Sequence, residues 1–232
     1  MTTEAARTGP TDGRRVAAAA RRRKREAEIL AATRALFDER GVRDAQIDDV
    51  AKAVGINRAI IYRHFTGKED LFALTVVDYL DELQQRLESV DDPSDDPEER
   101  LKVLVRTFFD FGIEYPAFVD CAQALMRKSG DELFAEVSES TMYKLGRGLV
   151  NCFSRLSVVI AAGKKQGVFK TSDVHLTANM LYASGLGALQ LARVGLLVNE
   201  AAPGVPIVQH VKPDVIREQV VNAALTFIRA ER

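Results

Sequence analysis

The stretch that decides the fold is Ile29–Phe72, which reads ILAATRALFDERGVRDAQIDDVAKAVGINRAIIYRHFTGKEDLF. Apolar residues recur in it every three or four positions, which is the spacing of a buried helical face. Gly41 and Gly55 stand where helices would stop, and Asn57 is a good N-cap for the helix that follows it. The stretch therefore predicts a helix that ends before Gly41, two short helices that meet at Gly55, and a longer helix from about Gly67.

The second short helix divides its side chains between two faces. Ile61 and Phe65, one turn apart, are predicted to face the core, whereas Arg58 and Tyr62 share another face. In a helix-turn-helix module the second helix enters the major groove of DNA, which is wide enough to admit it. The pattern leaves two interpretations open: a helix that reads the groove, or an ordinary amphipathic helix with a solvated polar face.

The whole window resembles the DNA-binding domain of the TetR family of transcriptional regulators. The resemblance implies an all-α fold, with an N-terminal three-helix helix-turn-helix DNA-binding domain and a larger helical domain for ligand binding and dimerisation. It further implies a repressor that binds palindromic operator DNA as a homodimer and is released by a small, largely apolar effector. The matching residues keep their spacing over four helices: Phe37, Gly41, Asp49, Val50, Ala51, Gly55, Asn57, Tyr62, Phe65, Lys68, Glu69 and Leu71.

The same resemblance assigns roles to individual residues. Tyr62 and His64 resemble phosphate contacts, and Lys68 resembles the lysine that opens the fourth helix, where a helix N-terminus meets a phosphate. Arg58 and Ala59 occupy positions that usually face bases, where Arg pairs with guanine and a methyl group touches thymine. The candidate DNA-binding residues are Arg22, Arg23, Arg25, Asn57, Arg58, Ala59, Tyr62, Arg63, His64 and Lys68.

Several positions depart from the family pattern. Gln46 stands where a capping Thr is usual, so Asp44 is considered as the cap of the second helix. Gly67 replaces the usual Ser, and Thr66 is expected to cap the fourth helix instead. Asp48 sits where some members place a base-contacting Arg, so no attractive DNA contact is expected from it.

Charge is distributed unevenly along the chain. The net charge is −1, yet residues 1–72 carry a net charge of +4 and the remaining residues −5. This asymmetry is typical of a protein of which one end meets phosphate. Residues 1–20 are predicted to form a flexible, Arg-containing arm, which would raise DNA affinity through counterion release or serve as a solubilising tail.

The prediction divides the chain into three parts: the arm 1–20, the DNA-binding domain 21–68, and an effector-binding and dimerisation domain 69–232. In the last part, helices are predicted at about 98–114, 116–128, 131–166, 173–198 and 214–230, with a break within 131–166 left open and a Pro/Gly-containing loop before the final helix. The uncharged stretch 174–192 is interpreted as a buried or interface helix and not as a membrane span, because polar residues interrupt it.

The effector pocket and the dimer seam are assigned only by residue type. Large apolar side chains supply surface and a few polar ones supply anchors, as ligand pockets need, although each aromatic residue also suits a core. The candidate pocket residues are Phe108, Phe111, Tyr115, Phe118, Gln123, Met126, Met142, Asn151, Phe153, His175, Asn179 and Tyr182. The small residues assigned to a seam with the last helix are Ala183, Gly185, Gly187, Ala188, Ala192 and Gly195.

Other classes of protein find little support in the sequence. No Gly-rich phosphate loop, HExxH or GxSxG motif is present, and the two cysteines, Cys121 and Cys152, have no close partner pattern. We therefore expect a cytoplasmic protein that is not an enzyme, with no cofactor, metal or membrane partner. Its expected partners are double-stranded operator DNA, an unknown small-molecule effector and a second copy. The alternatives are a sequence-tolerant architectural DNA-binding protein and an effector-independent regulator.

Overall fold

The computed structural model describes residues 10–229, which form a helical protein with one hairpin. The N-terminal end contains α1 (Pro10–Arg40), α2 (Ile47–Val54), α3 (Arg58–His64) and the start of α4 (Lys68–Val90). The remaining helices are α5 (Pro97–Glu114), α6 (Pro116–Met126), α7 (Gly130–Glu136), α8 (Glu139–Lys165), α9 (Val174–Val194) and α10 (Pro213–Arg229). The hairpin consists of β1 (Leu196–Ala202) and β2 (Val205–His210). This architecture confirms the predicted all-α class with an N-terminal helix-turn-helix.

The first helix begins at Pro10 and not near Arg21, so residues 10–20 belong to a helix and not to a flexible arm. Ala17–Ala20 have the highest intrinsic helix propensity, and the Arg and Lys residues that follow also favour a helix. The rest of the predicted arm, residues 1–9, lies outside the described residues.

Helices α1 to α3 enclose a small apolar core. Ile61 and Phe65 are almost fully buried, as their spacing predicted. Phe37 of α1 meets Phe72 of α4 edge to face, with ring centroids 4.9 Å apart. The chain turns from α2 to α3 at Gly55, whose φ of +70° is a left-handed conformation that glycine adopts without steric cost.

Both predictions about helix caps are corrected. The N-cap of α2 is Gln46 and not Asp44, and its backbone N–H donates to Asp49 Oδ2 at 3.4 Å. The N-cap of α4 is Gly67, with no side-chain cap. Thr66 does not cap α4; its backbone N–H instead donates to Asp70 Oδ2 at 3.3 Å.

Helix α4 joins the two ends of the molecule because it packs against α1 on one side and α8 on the other. Tyr79 in α4 is fully buried, and its hydroxyl donates to Asp38 Oδ1 of α1 at 2.6 Å. Arg34 of α1 lies 4.3 Å from the centroid of the Tyr79 ring and pairs with Asp78 and Glu82 of α4. These contacts fix α1 to the middle of α4.

The C-terminal helices follow the predicted order with two refinements. The segment predicted at 131–166 is broken before Ser138, whose hydroxyl caps α8 by accepting from the Thr141 backbone N–H at 3.3 Å. The predicted loop before the last helix is instead an antiparallel hairpin. Its turn is Pro203-Gly204 with a positive φ at Gly204, a pairing that favours a tight turn between short apolar runs.

One helix of the described residues, α8, is long and apolar enough by length and composition to cross a membrane. It packs along α4, α5 and α9, and Leu145, Cys152 and Ile160 on it are buried, as in a core helix of a bundle. The stretch 174–192 forms most of α9, which also buries one side against the helical domain.

Candidate functional site

Helix α3 presents a polar face that no other part of the described chain covers. Arg58, Ala59, Tyr62 and Arg63 are exposed, while Ile61 anchors the helix in the core. Asn57 is also exposed, but its Oδ1 accepts from the Ala59 backbone N–H at 2.8 Å. Its oxygen is therefore engaged in capping α3.

The guanidinium group of Arg58 is held over this face by two neighbours. It donates to the Tyr62 hydroxyl at 3.2 Å and lies 3.5 Å from Asp48 Oδ2 of α2. The hydrogen bond with Tyr62 and the charge of Asp48 raise the pKa of Arg58. Because the three side chains are exposed, these contacts are weak and orient Arg58 without locking it in place.

His64 is less accessible than the other candidates on α3. Its side chain is 13% exposed, and Nδ1 lies 3.3 Å from Glu26 Oε1 of α1. Glu26 also accepts from Arg22 Nε at 2.9 Å. Burial raises the pKa of Glu26, but the hydrogen bonds from Arg22 and His64 outweigh it and lower the pKa overall. Sequence reasoning missed Glu26, because its partner lies 38 positions away.

The remaining candidate cations flank α3. Lys68 is the exposed first residue of α4, with Nζ 4.9 Å from the centroid of the Phe72 ring. On α1, Arg23 is exposed and Arg25 pairs with Glu28 at 2.9 Å. The structure thus brings α3 and the start of α4 together, with part of the basic stretch of α1 neutralised by its own acids.

A buried carboxylate connects this end of the molecule to the helical domain. Asp70 is 3% exposed, and its Oδ1 accepts from the backbone N–H and the hydroxyl of Ser138 at 3.0 and 2.8 Å. Burial raises the pKa of Asp70, but these bonds outweigh it and lower the pKa overall. Asp70 therefore ties α4, two residues after Lys68, to the N-terminus of α8. Sequence analysis missed this link.

The helical domain contains a cavity of about 550 Å³ among α4, α5, α8, α9 and α10. Three of the predicted pocket residues line it: Phe108, Phe153 and Tyr182. Their rings contact one another, since Tyr182 lies 5.7 Å from Phe108 and 5.1 Å from Phe153 between centroids. These three residues form an aromatic wall.

The other predicted pocket residues do not line this cavity. Phe111, Tyr115 and Phe118 pack with Tyr79 in an aromatic core behind the wall, which meets the wall where Phe118 lies 6.4 Å from Phe108 between ring centroids. Gln123 donates to the Leu186 carbonyl at 3.5 Å. The rest lie away from the cavity on partly or fully exposed helical faces: Met126, Met142, Asn151, His175 and Asn179.

Much of the cavity wall was missed because its residues were interpreted as ordinary core. Leu80, Leu83 and Leu87 of α4 line one side, and Val220 and Phe227 of α10 line another. Their apolar spacing was visible in the sequence. Whether an apolar helix face borders the cavity or the packed core depends on how the five helices are arranged. The spacing of residues within one helix does not specify that arrangement.

The small residues assigned to a dimer seam separate into two groups. Ala183 and Gly187 lie on the exposed side of α9, and a Cβ built at Gly187 has no neighbouring atom within 4 Å. Gly185 faces inward instead, since its Cβ would lie 2.7 Å from Phe108. Three others also lie away from the open side: Ala188 lines the cavity, Ala192 is buried, and Gly195 ends α9 with a positive φ.

Cys121 and Cys152 are free and buried, and burial raises the pKa of each thiol to about 12. Both therefore behave as small apolar side chains. Within residues 10–229, no group of three or more His, Cys, Asp or Glu side chains is arranged to hold a metal ion.

Comparison with known proteins places the N-terminal region in a family. Residues 29–75 match the family described as "Bacterial regulatory proteins, tetR family". The chain is 28% identical to the HTH-type transcriptional activator FasR of Mycolicibacterium smegmatis over 102 residues. This aligned region makes up 44% of this chain and 47% of FasR. The chain is also 34% identical to the HTH-type transcriptional repressor KstR2 of Mycobacterium tuberculosis over 86 residues. That aligned region makes up 37% of this chain and 43% of KstR2. The chain thus spans less than half the length of these two relatives.

Structural comparison extends the likeness across the whole fold. The structure of RolR in complex with the ligand resorcinol superposes with a TM-score of 0.66 at 20% sequence identity. The superposition covers 92% of this chain and 91% of RolR. At this identity the likeness concerns the fold, including the helical domain that surrounds the cavity.

Proposed function

We propose that the chain is a TetR-family transcriptional repressor of the cytoplasm that binds palindromic operator DNA as a homodimer, and the match of residues 29–75 to the tetR family of bacterial regulatory proteins supports this. The observation that carries the proposal is the exposed face of α3, where Arg58, Ala59 and Tyr62 stand above the buried anchors Ile61 and Phe65. A small effector in the cavity of the helical domain releases the DNA.

The DNA-facing residues form two groups by role. Arg58 and Ala59 face the base edges, where a guanidinium pairs with guanine and a methyl group contacts thymine. Tyr62, Arg63 and Lys68 contact phosphates, and Lys68 adds its charge at a helix N-terminus. His64 holds α3 against Glu26 of α1, so it positions the helix and contributes less directly to DNA contact.

Selection of bound duplexes from a random library at fixed salt tests the operator proposal. We expect a palindromic consensus whose half-sites lie one helical turn, or a multiple of it, apart (about 34–36 Å per turn). An architectural DNA-binding protein would instead enrich no consensus, because its affinity comes from the backbone.

The open side of α9 provides the dimer surface. Leu176, Met180 and Val194 are 60%, 48% and 55% exposed, and they follow one helical stripe with Ala183 and Gly187. No charged residue interrupts this stripe, and large exposed apolar patches mark interaction sites. A self-complementary contact here relates two α3 helices by a two-fold axis, as a palindrome requires.

Gly187→Glu is expected to weaken the dimer about tenfold or more, because it places an unpaired charge at the closest approach of two α9 helices. Within one chain a side chain at Gly187 meets open space, so the monomer fold should persist. Sedimentation velocity across a concentration series measures the dissociation constant.

Gly146→Glu is the matched control, because Gly146 is also an exposed glycine within a helix with no atom near its Cβ. If the two variants had the same dimer dissociation constant, the dimer surface would have to lie elsewhere than at Gly187.

The cavity is placed to influence the dimer surface. Its wall includes α4, which carries Lys68 at its start, and its rim includes Met180 of α9 and Phe227 of α10, both partly exposed. A ligand that fits the cavity better when α4 is displaced therefore favours a spacing of the two α3 helices that does not match the operator. RolR, whose fold this chain shares, is described with resorcinol as its ligand, which supports a ligand-binding role for such a domain.

A further inference from the structure

One polar group in the wall of the cavity is not paired with any of the described residues. Tyr182 lines the cavity, and among the described residues no group forms a hydrogen bond with its hydroxyl. No fully enclosed side-chain oxygen of these residues lacks a partner, so the hydroxyl must border open space. Tyr182 is half-buried, so the hydrogen-bond partner of its hydroxyl comes from whatever occupies the cavity, water or a ligand.

Charge in the cavity is already balanced by the protein. Arg155 is the charged residue in the wall, and it pairs with Glu88 at 3.1 Å and lies 3.8 Å from Asp91. Asp91 is itself held by Arg100 through two hydrogen bonds of 2.8 and 3.0 Å. An anionic ligand would have to compete with Glu88 and Asp91 for Arg155, and the described lining residues include no second cation that could pair with it.

The polar side chains at the rim of the cavity differ from Tyr182 because they are exposed to solvent. Ser184 and Gln219 line the cavity but are exposed, so water can hydrate them in the absence of a ligand. The wall between them and Tyr182 is formed by leucine, valine and phenylalanine side chains. The only strong demand for a hydrogen bond from the interior therefore comes from Tyr182.

We infer that the cavity selects an uncharged, largely apolar molecule with a hydroxyl or carbonyl oxygen that pairs with the Tyr182 hydroxyl, and discriminates against carboxylates and other anions. This inference rests on the proposed effector role of the cavity and specifies the chemical class of its ligand.

Competition against a neutral dye, N-phenyl-1-naphthylamine, tests the inference on the full chain without DNA. Decan-1-ol and decanoate at pH 8 have the same chain length and differ in charge. We expect decan-1-ol to displace the dye at a concentration at least tenfold lower than decanoate. Equal displacement by the two competitors, or no dye binding by the unmodified protein, would overturn the inference.

Tyr182→Phe tests the anchor itself. Losing one neutral hydrogen bond should weaken decan-1-ol binding about threefold to tenfold, while dye affinity stays within twofold because the aromatic wall remains. An unchanged affinity for decan-1-ol would show that Tyr182 is not the anchor. Ala188→Phe fills the cavity and should abolish dye binding; persistent binding would place the dye elsewhere and overturn the assignment.

Because these measurements contain no DNA, they separate the ligand class from the regulatory role. Binding of decan-1-ol through Tyr182 without any effect on operator affinity would uphold the ligand class and contradict only the proposed release of DNA.

Discussion

Asp70→Ala is expected to lower the free energy of unfolding by about 3 kcal/mol, because it removes a buried charged acceptor. The Ser138 hydroxyl and backbone N–H, both bonded to Asp70 within 3.0 Å, lose their shared acceptor in this variant. The Thr66 N–H, which donates to the other carboxylate oxygen, loses its acceptor as well. Urea denaturation at pH 7 measures the loss.

The same substitution should also loosen the start of α4, since Asp70 connects it to Ser138 at the N-terminus of α8. Lys68 is two residues away, so operator affinity should fall along with stability. Asp131→Ala removes an exposed acid from the first turn of α7 and serves as the control; equal losses in the two variants would contradict the role of Asp70.

The pH dependence of this effect has a definite sign. The pKa of Asp70 in the folded protein lies below its ordinary value near 3.8, so its stabilising contribution is present above about pH 4. It is lost as the pH falls through the lower folded-state pKa. The difference between the unmodified protein and Asp70→Ala should therefore be full at pH 7 and shrink below pH 4. A difference that grows on acidification would contradict this assignment.

Arg58→Ala is expected to weaken operator binding about a hundredfold, as the loss of a bidentate contact with guanine would. The loss should be greatest at the base pair that Arg58 reads, so variant operators at that position should bind the Arg58→Ala protein almost equally. Binding to each operator at one fixed salt concentration measures both effects, because salt changes every phosphate contact.

Two companion variants make the result specific. Asp48→Ala removes the carboxylate 3.5 Å from Arg58 and also a negative charge near DNA, so its operator affinity should rise. Lys144→Ala removes one exposed positive charge from α8, outside the predicted DNA-binding domain 21–68, and should leave the affinity almost unchanged. If Arg58→Ala and Lys144→Ala lowered operator affinity by similar amounts, Arg58 would contribute only non-specific electrostatic attraction to DNA.

Together these expectations describe a repressor whose two functions share α4. The buried bond from Asp70 to Ser138 joins the DNA-binding end to α8, and the cavity borders α4 and α8 through Leu80 and Phe153. Under the proposed function, a ligand that moved either helix would change the position of Lys68 through packed contacts, which would give the effector a physical route to the operator.

Local sequence determined the helices and the two faces of α3. Helical spacing, the Gly55 turn and the Asn57 cap depend on residues within a few positions, so Ile61 and Phe65 could be assigned to the core and Arg58 and Tyr62 to the surface. The start of α1 and the hairpin were missed, although the alanine run and Pro203-Gly204 were visible signals.

Only the tertiary structure decided which aromatic residues line the cavity and which fill the core. Phe108 and Phe111 lie three positions apart on α5, yet the first borders the cavity and the second is fully buried against Tyr115. The partner of Asp70, likewise, lies 68 positions along the chain. Such contacts depend on how whole helices meet, and the spacing of residues within one helix carries no information about its neighbours.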